Sequence, residues 1–128
     1  GGVVRRLSRS LPALGWMALI FFLSSQSSFP VPRGIWSFDK VIHAGAYFVG
    51  CAAWLFALRA RDWRSGLIAV AITSAYGATD ELHQYFVPGR SCDVYDWVAD
   101  TAGAFFTLLA AWGSWRLKGS RSIPGDTT

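Results

Sequence analysis

Gly66-Leu67-Ile68-Ala69-Val70-Ala71-Ile72-Thr73-Ser74-Ala75-Tyr76-Gly77-Ala78-Thr79-Asp80-Glu81-Leu82-His83-Gln84-Tyr85-Phe86 decides the fold class of this chain. Its first fourteen residues carry no charge, and two acids and a histidine then crowd its end. A helix of this length covers about 30 Å, the thickness of a bilayer's hydrocarbon. Charge at that depth costs roughly 2.5–3.5 kcal/mol per residue. Groups kept there at such cost mark a functional polar site by default.

The rest of the chain repeats the pattern. Of its 128 residues, 52% are hydrophobic, and they fall in long blocks with charges at the block ends. Apolar helical stretches are expected at about residues 11–28, 41–58, 66–86 and 94–115. Turn chemistry separates them: Pro30-Val31-Pro32-Arg33-Gly34, Arg59-Ala60-Arg61-Asp62 and Pro88-Gly89-Arg90-Ser91. The expected fold is therefore all-α, with four membrane spans in a single domain over residues 1–118 and a disordered tail over 119–128. No internal repeat is visible. A secretory signal is the competing reading of the first block, because arginines precede it and serines follow it.

Charge orients the spans. Arg5, Arg6, Arg9, Arg59, Arg61, Arg64, Arg116, Lys118 and Arg121 fall on one side with only Asp62 and Asp126. The other side has Arg33, Lys40 and Arg90 against Asp39, Asp80, Glu81, Asp93, Asp96 and Asp100. Positive loops stay inside, so both termini are expected in the cytoplasm and the acidic helix ends outside. The net charge of +4 comes from short clusters beside apolar blocks, which suits lipid headgroups rather than nucleic acid. Cys51 lies mid-block and Cys92 in a polar turn, so no disulfide and no cysteine metal spacing is expected.

Helical periodicity sorts the polar groups into stripes. Asp39 and His43 share one with Gly50, flanked by Tyr47. Tyr76, Gly77, Asp80, His83 and Gln84 share the second, with Glu81 to one side. Asp93, Asp96, Asp100, Gly103 and Thr107 share the third. Turned inward, the three stripes bury carboxylates against each other and against both histidines. Such acids must protonate, pair with Lys40 and Arg90, or surround a cation. Asp80, Glu81, His83, Asp93 and Asp96 are the candidate metal ligands, of a kind that suits zinc, manganese or magnesium. Without a metal, His43 or His83 can act as general acid or base beside a carboxylate. Arg90, in its tight turn, can grip a phosphate or carboxylate. The plainer readings make Asp39 and Asp93 helix N-caps, the glycines packing sites, and Trp36, Tyr85 and Trp97 interfacial aromatics.

Asp39-Lys40-x-x-His43 with Tyr47, Asp80-Glu81-x-His83-Gln84, Pro88-Gly89-Arg90-Ser91, and Asp93-x-x-Asp96 with Gly103 together resemble the VanZ-like family of small bacterial membrane proteins. The resemblance covers roughly residues 24–106. It departs at Asp100, where the family usually has Asn. It implies a multi-span helical protein of the bacterial cytoplasmic membrane. The family's founding member is associated with resistance to the glycopeptide teicoplanin, which is a phenotype and not a reaction.

The expected function is a membrane enzyme that hydrolyses or transfers a group on an envelope lipid or lipid-linked wall precursor. Asp39, His43, Asp80, Glu81, His83 and Gln84 are the expected catalytic set. Lys40, Tyr47, Arg90 and Ser91 would bind substrate, and Asp93, Asp96 and Asp100 would balance charge. A non-catalytic lipid, peptide or drug binder is the second reading. A proton or ion relay is the third, and with so few spans it would need a homo-oligomer.

Overall fold

A computed structural model describes residues 2–25, 36–88 and 93–121, with side chains except at 36–39 and 119–121. Among the described residues there are four α-helices and no strand: α1 Gly2–Ser24, α2 Trp36–Leu58, α3 Trp63–Tyr85 and α4 Val94–Arg121. The four-residue connection between α2 and α3 turns the chain back on itself, so these helices run antiparallel. Arg9 Nε donates to the Phe56 carbonyl at 3.0 Å, and Trp63 meets Trp112 at a ring separation of 5.4 Å. These contacts gather the arginine-rich helix ends at one end of the bundle. The acidic ends of α2, α3 and α4 meet at the other.

The helices run further than their apolar blocks. α1 begins nine residues before the expected start at 11 and continues through Pro12, although a proline in a helix interior removes one backbone donor, and it ends at Ser24, ahead of the expected end at 28. α2 begins at Trp36, so Asp39 lies in its first turn rather than ahead of it. α4 continues to Arg121, past the expected end near 115 and into the stretch expected to be disordered. Polar flanks continue a helix readily once an apolar stripe has anchored it.

Two ends are sealed by local chemistry. Asp62 caps α3 by accepting from the Ser65 backbone N–H at 2.9 Å, and Ser65 Oγ accepts in return from the Asp62 backbone N–H at 3.4 Å. The Ser65 hydroxyl also donates to Asp62 Oδ1 at 2.6 Å, and that bond first and the Ser65 N–H second hold the Asp62 carboxyl below its ordinary pKa. Arg59 takes a left-handed turn (φ 53°) after α2, and its N–H and that of Ala60 close on Phe56 and Leu55.

Small residues set the spacing. A Cβ on Gly103 would strike the Ala44 carbonyl of α2, one on Gly50 the Trp16 ring, and one on Gly66 the Leu108 side chain. α2 and α4 therefore approach almost backbone to backbone. Trp16 Nε1 donates to the Ala46 carbonyl at 3.0 Å, and Thr107 Oγ1 to the Phe48 carbonyl at 2.8 Å. The Tyr76 hydroxyl donates to the Met17 carbonyl. Cys51, Ala69, Val70, Ala104 and Leu108 form the apolar core toward the basic end.

The distribution of polarity is inverted. Ser24, Thr73, Asp80, Glu81, Gln84, Asp96, Asp100 and Thr107 are buried, while Phe22, Val41, Val49, Ile68, Phe106 and Leu109 are each at least half exposed. A water-facing protein does the reverse. α1 from Gly2 to Ser24 and α2 from Lys40 to Leu58 are each long and apolar enough to cross a membrane. α3 and α4 are as long but carry Asp80, Glu81, Asp96 and Asp100 within them.

Candidate functional site

The acidic end is assembled from three helices. Asp93 opens α4: its Oδ1 accepts from the Tyr95 backbone N–H at 2.9 Å, the geometry of an N-cap. Its Oδ2 receives the Lys40 ammonium at 2.8 Å, and the same ammonium also donates to Asp96 Oδ1. Lys40 thus joins the start of α2 to the first turn of α4. Its hydrogen bond is the main force holding the Asp93 carboxyl below its ordinary pKa, with the Tyr95 N–H adding to it.

One turn deeper, His43 Nδ1 lies 2.9 Å from Asp100 Oδ1, and its Nε2 lies 3.7 Å from Asp96 Oδ2. Asp100 is wholly buried, and Glu81 is only 4% exposed. Glu81 comes in from α3, where its Oε2 accepts the Asp93 backbone N–H at 3.1 Å. Its other oxygen, Oε1, has no hydrogen-bond partner among the described residues, and neither has Asp100 Oδ2. One ligand-type atom from each of His43, Glu81 and Asp100 lies within 4.8 Å of the others. Gly77 is the reason Asp100 fits: a Cβ there would sit 3.0 Å from Asp100 Oδ2 and 3.2 Å from the Tyr47 ring. Tyr47 is buried below, its hydroxyl 3.5 Å from Asp80 Oδ2 and its ring edge-on to Trp16.

The structure therefore brings Lys40, His43, Tyr47, Asp80, Glu81, Asp93, Asp96 and Asp100 to one end, with Gln84 buried beside them on α3. It places His83 elsewhere on that helix. The His83 ring stacks on Phe21 of α1 with centroids 4.6 Å apart, and its Nδ1 lies 3.3 Å from Ser24 Oγ. Glu81, placed to one side by the sequence pattern, faces α4, and His83 takes the flank toward α1. Ser24 is a neighbour that the sequence reading did not single out; only its position at the acidic end of an apolar block hinted at it. The Asp39 side chain, Arg90 and Ser91 lie outside the described residues.

The arrangement can do two things chemically. Asp100 can fix the tautomer of His43 so that the ring's other nitrogen handles a proton, a pairing used in general acid–base catalysis. The orphaned carboxylate oxygens can also receive a positive charge from outside the chain. Neither the curated proteins nor the solved structures searched contain a match to this chain. The family pattern designated VanZ/LLP1 does match, over residues 10–116, and that span takes in every described group of the site. Covering most of the sequence as it does, the match places this chain in the VanZ/LLP1 family.

Proposed function

We propose that the chain crosses a bacterial cytoplasmic membrane four times, with both termini inside and the carboxylate–histidine site at the outer face. There it hydrolyses an amphiphilic envelope component, a phosphate-bearing lipid or lipid-linked wall precursor, or transfers a group from it. The exposed apolar perimeter around buried acids supports the membrane reading. One observation carries the chemistry: the wholly buried Asp100 carboxylate lies 2.9 Å from His43 Nδ1, next to Glu81 and Asp96. In that pairing Nδ1–H donates to Asp100 and Nε2 is the base. It takes the proton of an attacking water or hydroxyl and returns it to the leaving oxygen.

Lys40 is already shared by Asp93 and Asp96, so its role is to offset charge at the rim. Arg90 is the group we assign to the anionic head. Altered processing of a wall precursor would change susceptibility to teicoplanin, the phenotype the resemblance implies. The test is turnover of phosphate-bearing lipids by the purified protein in nanodiscs. His43→Ala and Glu81→Gln should abolish it while the helical circular dichroism stays unchanged, and His83→Ala should retain most of it. Unaltered turnover in His43→Ala removes the mechanism. An intact lipid held by wild type and both variants, with no product formed, replaces catalysis by binding.

A further inference from the structure

The geometry points to a divalent cation site made by His43, Glu81 and Asp100, one ligand from each of three helices. It rests on the pocket and keeps the hydrolytic reading of the proposed function, but replaces the general-base role of His43, since an ion on Nδ1 leaves the proton on Nε2.

The first support is the donor set. An imidazole and two carboxylates offer ligand atoms within 4.8 Å of one another. Ligands about 2.1 Å from one ion are at most about 4.2 Å apart, so a small inward movement of the side chains closes the set. The 2.9 Å between His43 Nδ1 and Asp100 Oδ1 suits a hydrogen bond. It also suits two neighbouring ligands at right angles on one ion, with Asp100 binding it through both oxygens so that Oδ2 is taken up as well. In the second case Nε2 carries the proton and faces Asp96 Oδ2 at 3.7 Å, while Lys40 pins the other Asp96 oxygen. A carboxylate behind a ligating histidine is the usual outer support of such a centre.

The second support is independent of that geometry. Glu81 Oε1 and Asp100 Oδ2 are buried, belong to residues 4% and 0% exposed, and have no hydrogen-bond partner among the described residues. Buried carboxylate oxygens are rarely left so. Protonation of Asp100 on Oδ1 could be answered by His43 Nδ1, but Glu81 Oε1 and Asp100 Oδ2 would still lack a donor. Among the described residues, Asp80, Glu81, Asp93, Asp96 and Asp100 gather here with Lys40, so a double positive charge also reduces the imbalance. Mixed nitrogen and oxygen donors suit manganese or zinc better than calcium.

The experiment uses the full chain in detergent, stripped with a chelator and titrated with manganese and, separately, zinc. About one ion per chain should bind, and His43→Gln, Glu81→Gln and Asp100→Asn should each weaken it about tenfold or more. His83→Ala, whose ring lies against α1, should bind as wild type does. Pulsed electron paramagnetic resonance of the manganese form should show coupling to an imidazole nitrogen, lost in His43→Gln. That spectrum is read on wild type, so misfolded variants do not spoil the test. No stoichiometric ion, or bound manganese without nitrogen coupling, overturns the site. Turnover that persists in chelated protein sinks the cation and spares the proposed function. A bound ion with no turnover on any lipid does the opposite.

Discussion

Lys40 shows how much a single side chain organises. Its ammonium holds Asp93 and Asp96 together, and its own side chain is only 13% exposed. Lys40→Met would leave two carboxylates facing each other, and the loss should be about 2 kcal/mol at neutral pH. The effect depends on pH in a definite direction. Asp93 has its pKa lowered by folding, so its contribution is complete above the unfolded value of about 3.9 and is lost as pH falls through the folded one. Thermal unfolding in detergent should therefore separate wild type from Lys40→Met at pH 7, and the gap should narrow below about pH 4. A gap that is constant with pH would mean that Lys40 acts by packing its stem. The residues of this end were legible one by one, because acids and histidines in apolar blocks have few bland explanations. Lys40 was among the bases expected to pair with these acids, but nothing in the order of residues says that it reaches Asp93 across 53 positions.

At the scale of elements, the helix α3 marks where periodicity stops being informative. Successive residues turn about 100° around a helix. Glu81 and His83 therefore flank Asp80 on opposite sides. The pattern put Asp80 and His83 on the inward stripe and Glu81 to one side, but the structure turns Glu81 toward α4 and His83 toward α1. That choice belongs to the hand of the bundle, and it set Glu81 against the start of α4 and His83 against Phe21. The starts of α1 and α2 and the end of α4 lie beyond the expected bounds, since only apolar blocks announce themselves, while α1 stops at Ser24, short of the expected 28. Close approach of α2 and α4 yields a further prediction. Gly103→Val puts a branched side chain against the Ala44 carbonyl, which as backbone cannot move aside. Overpacking of this kind costs about 1–3 kcal/mol. It should lower the melting temperature in detergent and reduce turnover together. Gly113, with open space around its Cβ position, should accept Ala without either effect.

For the whole molecule, composition announced the helical class, and the inverted distribution of polarity agrees with a lipid surround. Asp62 and Tyr95 are both exposed and stand at opposite ends of the bundle. With the native cysteines replaced, a membrane-impermeant thiol reagent should label Tyr95→Cys in intact cells and label Asp62→Cys only after lysis. Labelling of both before lysis would refute the four-span orientation. The contact of Gly103 with Ala44 carries one more consequence. Ala44 adjoins His43, and Gly103 lies one helical turn below Asp100. When α2 rocks against α4, that near-touching backbone is the fulcrum, and the imidazole and its carboxylate sit almost on the axis with little lever arm. Lys40 and Asp93 stand further out along the same arm. Thermal swaying should therefore open and shut the rim of the pocket while leaving the registration of its floor nearly still.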